Sequence, residues 1–466
     1  MSALPVLLWT DALAWLLVAL VAGYGAYCSR HPHLAAPWRR VFQAPAAMMS
    51  AVVLVAFAGI GLLDSVHVRP ALEGGKGGHS VEALSLLDLA LSGLRTRQEK
   101  TYSAPLATRL YQKETVELPG GRQTRDFPRL RHGGAHLADE AQAANDILWR
   151  AAAGIATAIA LWFVAGAFLK RRLQRRHPDL AWTHAWLALG ALLVVAGPVA
   201  ALAAGGWHVL GTDKVGQDVL FQALKSVRTS LVIGMLTTLV LLPLGVFLGI
   251  AAGYFRGWVD DLIQYLYTTL NSIPSVLLIA AAVLMMQVYI DTHPGLFPTA
   301  AHRADFRLLL LCVILGLTSW TGLARLLRGE SLKLSELEYV QAAHAFGVSH
   351  GRILGRHLLP NVAHIVIIAL VMDFSSLVLA EAVLSYVGVG VDPSTTSFGT
   401  MINSARLEMS RDPVVWWSLA AAFAFMFVLV LAANLFADAV RDGFDPRVRI
   451  LAARGREAAR PAGEKA

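Results

Sequence analysis

The chain has 466 residues, of which 56% are hydrophobic and 15% charged, with a mean hydropathy of +0.54 and a formal net charge of +8. Soluble domains carry about 25% charged residues, so a water-soluble globule is excluded, as are collagen, disordered tails and disulfide scaffolds. Cys28 and Cys312 lie far apart, in or beside apolar blocks, which argues against a structural disulfide or a thiolate metal site.

Nine apolar blocks follow one another: residues 4–27, 45–67, 147–169, 183–207, 229–253, 262–290, 306–327, 362–387 and 414–437. Each is long enough to cross a hydrocarbon core of roughly 30 Å. Helices are the open-ended elements that satisfy their own backbone there. The expected fold class is all-α, a polytopic helical membrane protein. The first block reads as a retained helix rather than a signal peptide, because it contains Asp11 and no Lys or Arg precedes Arg30.

Basic residues set the orientation. With the N-terminus outside, the inside segments 28–44, 170–182, 254–261, 325–361 and 438–466 hold 21 Lys and Arg. The short outside segments 208–228, 291–305 and 388–413 hold seven when Arg307 is counted. The run from Lys170 to Arg176 is the strongest anchor, and its apolar flanks make it a topology signal rather than a nucleic-acid patch. The C-terminus is therefore expected in the cytoplasm. Residues 70–146 form one long polar segment with ten basic and ten acidic residues, which can lie outside whatever its charge. Within it, residues 80–94 carry the spacing of an amphipathic helix. Residues 73–78 read as flexible and fail the phosphate-loop pattern.

Between the seventh and eighth blocks, Ser335 and Glu338 have capping-box spacing, which predicts a helix from Glu336. Gly347 is placed to end it in a left-handed turn. Ser349 can cap a second short helix, which Pro360 keeps from continuing unchanged into the next span. Ala342 and Ala343 make one face small enough for another protein to approach closely. On these features alone, a docking element and an ordinary connecting loop both remain open.

Inside the blocks, Gly245, Gly249 and Gly253 recur at four-residue spacing, which permits close helix contact within the chain. Asn271, Pro274, Asp373, Ser375, Ser376 and Glu381 are polar or helix-breaking. Ionisable groups in lipid are costly and usually face a cavity or partner. Pro274 after Ser272 predicts an interrupted helix. Asp373 and Glu381 could line a path or make structural hydrogen bonds. His31, His33, His344, His350 and His364 lack metal-ligand companions and read as loop or packing residues.

The stretch from Ser335 to Asn361 resembles the cytoplasmic "EAA" loop of ABC importer permeases. Gln341-Ala342-Ala343 stands for Glu-Ala-Ala, Gly347 follows at the right spacing, and Leu359-Pro360 closes the pattern. Gln341 replaces the acid, and His357 takes an aliphatic position, as in the peptide-transporting branch with its Arg356-His357-x-Leu359-Pro360-Asn361 wording. The segments 211–219, with Gln217 where Arg is usual, 252–260, 273–275, 379–390 and 435–447 are similar to the same branch, the dipeptide/oligopeptide (and nickel) permeases.

The resemblance implies a type I ABC importer permease core over 206–447, with a coupling loop at 328–360. An extension, 1–205, with about four extra membrane helices and the external 70–146 loop precedes it, and a cytoplasmic tail, 448–466, follows. It implies a multi-pass protein of the bacterial inner membrane that forms part of the path for peptides or a related small solute. No cofactor would be bound by this chain; ATP and Mg would be used by a partner ATPase. The implied partners are a second homologous permease, two ABC ATPase subunits, an external solute-binding protein and the lipid membrane, with no nucleic acid. Glu338, Gln341, Ala342, Ala343, Gly347 and Arg352 would couple to the ATPase. Asn271, Pro274, Asp373, Ser376 and Glu381 are candidates for the path. An ion-coupled secondary transporter is the alternative, but such carriers show paired repeats and the sequence has no convincing one. A membrane enzyme would need a convergent nucleophile and base or a metal set, which is not seen.

Overall fold

A computed structural model describes residues 4–70, 80, 83–117, 123–297 and 299–445. The first apolar block divides. Leu4–Val6 (β1) is extended and pairs with His67–Arg69 (β2), before the helix α1 (Trp9–Arg30) crosses. Pro5 is tolerated because β1 is an edge strand. An amphipathic α2 (Pro32–Gln43) then leads into α3 (Pro45–Asp64); both begin on a proline, whose missing N–H is free in a first turn.

The helix expected over 80–94 is not formed. Leu84–Ser85 (β3) pairs with β2 and is followed by two five-residue helices, α4 (Leu86–Ala90) and α5 (Ser92–Thr96). The reason is Ser85. Its hydroxyl accepts from the Asp88 N–H and the Asp88 carboxylate accepts from the Ser85 N–H, both at 3.0 Å, which sets the helix start there. Residues 73–78 and 81–82 lie outside the described residues. A hairpin of β4 (Glu114–Glu117) and β5 (Gln123–Asp126) comes next. The extension ends in a helical pair: α6 (Ala143–Ala165), a π-turn (Gly166–Lys170), α7 (Arg171–Arg176) and α8 (Trp182–Ala204).

The rest of the chain is α9 (Val219–Phe255), α10 (Gly257–Ser272), α11 (Ser275–Thr292), α12 (Ala300–Ser319), α13 (Thr321–Ser335), α14 (Glu338–Ala345), α15 (His350–Ile353), α16 (Leu359–Val387), α17 (Phe398–Glu408) and α18 (Trp417–Phe444). Among the described residues, nine helical segments are long and apolar enough to cross a membrane. The sixth block breaks as its sequence predicts: Ile273 is extended and Pro274 stands before the first residue of α11. Cys28 and Cys312 are buried and unpaired.

Helix α9 is the axis on which α13, α12, α16, α3 and α10 pack. Its three glycines do face α13: a Cβ on Gly249 would come 2.7 Å from the Ala324 carbonyl oxygen, and one on Gly253 would come 2.6 Å from that of Arg328. The helices before α9 dock through α3, which packs against α8 and against α9 and α18. Charge reinforces this seat. Lys225 of α9 reaches Asp64 at 2.9 Å and Asp88 at 2.8 Å, and Arg228 reaches Asp11 at 2.5 Å.

Residues 99–111 and 131–134 close over the segments before α9 and α18. The Ser103 N–H donates to Thr212 Oγ1 at 2.7 Å, and the Tyr102 hydroxyl donates to Glu408 at 3.0 Å. Glu99 accepts backbone N–H bonds from Arg131, His132 and Gly133 at 2.8, 2.7 and 3.0 Å. His208 lies 2.8 Å from Asp218, which also caps α9, and 3.4 Å from Glu99. Burial alone would push Glu99 up and His208 down, but the hydrogen bonds and opposite charges win: Glu99 is held down at about 2 and His208 is raised to about 9.

The pH consequence follows from those signs. The His208 contribution is complete below its ordinary 6.5 and is lost as pH rises through about 9. The Glu99 contribution is complete above its ordinary 4.5 and is lost as pH falls through about 2. The segment anchored by Glu99 should therefore be held most firmly between about pH 4.5 and 6.5. Limited proteolysis of residues 99–146 is expected to accelerate between about pH 7 and 9 in the native chain, and to be fast already at about pH 6 in His208→Gln. A native rate independent of pH would show that the cluster does not hold the segment.

Candidate coupling site and translocation face

The loop between the seventh and eighth apolar blocks starts where α13 ends. Ser335 is the last residue of that helix and its hydroxyl donates back to the Leu332 carbonyl at 2.8 Å, so the capping box expected with Glu338 is not made. Helix α14 begins two residues later than predicted, at Glu338, behind an extended Leu337 that supplies no side-chain cap. Gly347 ends the turn at φ +73°, the left-handed conformation its placement predicts. Ser349 occupies the position before α15, but its side chain makes no capping hydrogen bond. Between α15 and α16 the helix loosens into a π-turn, Leu354–Leu358, and Pro360 sits in the first turn of α16. That is the altered continuation the proline imposes.

The loop is bolted to the spans by its apolar side chains. Val340, Ile353 and Leu358 are at most 2% exposed and pack in one cluster with Leu241 and Ile250 of α9 and Leu323 and Leu327 of α13. Burying each such side chain is worth about 1.5–3 kcal/mol, so the loop moves with α9 and α13. Polar contacts fix its flank. Arg256 pairs with Glu336 and donates to Ser335 Oγ at 3.0 Å, Gln341 donates to Glu336 at 3.3 Å, and Tyr254 contacts His350 Nδ1 at 2.8 Å. These groups line a polar cleft of about 340 Å³ with His344. His344 and His350 meet within it, 5.5 Å between ring centres and with their planes tilted by 48°. Asp260 of α10 holds Arg328 of α13 through two hydrogen bonds of 2.5 and 2.6 Å.

Of the residues expected to face the ATPase, Glu338, Gln341, Ala342, Gly347 and Arg352 are exposed. Ala343 is half-buried against the apolar cluster and points inward instead, because it lies three residues from the buried Val340 on the same helix face. Phe346, which sequence reasoning passed over, is 87% exposed at the tip of the loop. The available signal was a large apolar residue directly before the glycine turn. The pairs Arg256–Glu336 and Asp260–Arg328 were also missed, being contacts between elements distant in sequence.

The path candidates divide. Asn271, Pro274 and Ser376 are exposed and Asp373 is half-buried. Asn271 Oδ1 accepts from Thr321 at 3.1 Å, beside the break between α10 and α11. Glu381 stands apart: it is fully buried and accepts from Ser385 at 2.6 Å and Ser397 at 2.9 Å, tying α16 to the start of α17. Among the described residues no group of three or more His, Cys, Asp or Glu is placed to hold a metal.

Residues 245–450 match the family described as binding-protein-dependent transport system inner membrane component. The oligopeptide transport system permease protein OppC of Mycobacterium tuberculosis (strain ATCC 25618 / H37Rv) is 31% identical over 247 residues, covering 53% of this chain and 78% of that protein. The chain belongs to this family. The dipeptide transport system permease protein DppC of Lactococcus lactis subsp. cremoris is 31% identical over 240 residues, 52% of this chain and 64% of that one. The glutathione transport system permease protein GsiD of Pectobacterium atrosepticum is 32% identical over 244 residues, 52% and 73% of the two chains. The protein is thus an ABC importer permease subunit of the inner membrane, a transport component rather than an enzyme, and the secondary-transporter alternative falls away. In this permease the matched region contains the glycine stripe of α9, the break at Pro274 and the whole loop from α13 to α16.

Proposed function

We propose that this permease subunit forms part of the path for short peptides or a closely related solute. The functions of its relatives, oligopeptide, dipeptide and glutathione transport, support that cargo class. The chain divides into an extension over 1–205, a permease domain over 206–447 and a tail over 448–466. A second homologous permease would complete the path. Two ABC ATPases would bind beneath and use ATP and Mg, none of it held by this chain, while an external solute-binding protein delivers cargo from above. The C-terminus is cytoplasmic, on the side favoured by the basic segments.

The observation that carries the reading is the division of α14 into two faces. Val340 and Ala343 grip the spans, while Glu338, Gln341, Ala342, Phe346 and, in the turn beyond, Gly347 and Arg352 are left open for a partner. Nucleotide-driven movement of the ATPase would push this face, and the buried grip would pass the push to α9 and α13 as a rigid-body motion. Asn271, Pro274, Asp373 and Ser376 are the residues best placed for the path; Glu381 would serve it by holding α16 to α17.

Gly347→Val tests the loop cleanly. No atom lies within 4 Å of a Cβ at that position, so the only penalty is the left-handed backbone, about 1–2 kcal/mol for a residue with a side chain. The spans should insert at normal abundance, while ATPase co-purification and solute uptake fall together. Normal uptake by this variant would show that the loop is not the coupling element.

A further inference from the structure

The extension carries an apolar groove of about 360 Å³ between α3, α8 and the π-turn leading into α7. Along α3 it runs from Met48 to Ala56, and along α8 from Trp182 to Leu192. At 1.5 Å per residue these stretches span about 12–15 Å, one leaflet's share of a core roughly 30 Å thick. The wall on the α8 side is preformed. Trp162 stacks on Trp186 with 5.5 Å between ring centres and donates its Nε1–H to the Trp186 carbonyl at 2.8 Å. Gly166 and Gly190 are the notches that admit these two rings, since a Cβ at either would strike the facing indole.

The groove ends at Lys170, its only charged lining residue. Beside it Arg171, Arg172, Arg175 and Arg176 are exposed, and no carboxylate pairs with any of the five among the described residues. This is the cytoplasmic side by the distribution of basic residues. An apolar slot alone would accept any acyl chain. Unpaired cations at its mouth, at the depth of the lipid phosphates, add a preference for negative headgroups.

We propose that this groove holds one anionic phospholipid of the cytoplasmic leaflet, with an acyl chain laid between α3 and α8 and its phosphate on Lys170 and the arginines of α7. The lipid fills the space between α3 and the α6–α8 pair. Because α3 packs on α9 and α18, it steadies the attachment of the extension to the transport core. The site lies within residues 1–205, away from the region matched by the family.

The test is native mass spectrometry of the full-length protein, exposed in detergent to cardiolipin, phosphatidylglycerol or phosphatidylethanolamine. Retention of one anionic lipid per chain is expected, with a preference over phosphatidylethanolamine of about tenfold. The triple variant Lys170→Gln/Arg171→Gln/Arg172→Gln should bring anionic retention down to the phosphatidylethanolamine level. Ala185→Phe, which fills the groove and leaves every charge in place, should do the same. Added phosphatidylglycerol should also raise the melting temperature of the unmodified protein, a reading that needs no variant. Equal retention of the three lipids would mean ordinary bilayer contact and overturn the proposal. Full retention by Ala185→Phe would mean adhesion to a basic surface and overturn it too, as would an unmoved melting temperature.

Discussion

Arg228→Met is expected to destabilise the permease by about 3–5 kcal/mol, the usual loss when one partner of a buried ion pair is removed. The guanidinium holds Asp11 at 2.5 Å and lies 4.0 Å from Asp305, two carboxylates that are nearly fully buried. Thr10, next to Asp11, donates its backbone N–H to Asp305 at 3.2 Å, and His67 meets Asp11 at 2.8 Å. The cluster therefore stitches α1 and β2 to α9 and α12. Methionine keeps much of the volume but leaves two carboxylates facing each other without a cation. Thermal unfolding of the purified protein should show the loss, and Asp11→Asn combined with Arg228→Met should recover part of it. A loss below about 1 kcal/mol, the value of a solvated pair, would mean that water reaches the cluster and that Arg228 does not hold α1 and β2 to α9.

Gly249→Leu is expected to cost about 1–3 kcal/mol or more by overpacking, and to uncouple the loop as well. A Cβ there would lie 2.7 Å from the Ala324 carbonyl oxygen and 2.9 Å from the Ala324 Cα. Both are backbone atoms, so no rotamer change relieves the clash and α13 must move away from α9. Since α13 ends at Ser335 and leads into the loop, its displacement would shift α14 relative to any docked ATPase. Gly322 on α13 is the internal control, because nothing lies within 4 Å of a Cβ there. Gly322→Ala should be neutral or gain about 0.5–1 kcal/mol from helix propensity. Unfolding midpoints and uptake for the two variants separate the cases. Equal behaviour would show that α9 and α13 do not depend on close backbone approach.

Several features of this protein were legible because they are set by the backbone or by runs of neighbouring residues. A block of twenty apolar residues must become a helix in lipid, whatever surrounds it. Pro274 cannot donate to a helix, and the chain breaks there. Gly347 was assigned a left-handed turn from its spacing alone, and it adopts φ +73°. The glycines at 245, 249 and 253 share one face by helical geometry, so a close neighbour was foreseeable, although not that it would be α13.

The remainder was decided by contacts between residues far apart in the chain. Ser335 had the right spacing for a cap, yet α13 continued through it and used its hydroxyl elsewhere. Ser85 received the capping box that no reading of residues 80–94 as one helix could accommodate. Ala343 and Ala342 are the same residue type side by side, and only the cluster around Val340 determines which of them is open. Glu381 proved to be a tie between helices because Ser397, sixteen positions on, folds back to donate to it. Asp11 and Arg228 are 217 positions apart. The sequence by itself determined the spans, their breaks and the left-handed turn at Gly347, since those depend on local hydropathy and backbone freedom. The tertiary structure alone decided which polar groups meet, because in a low-dielectric interior each buried charge needs a partner that only the packing of distant helices can bring to it.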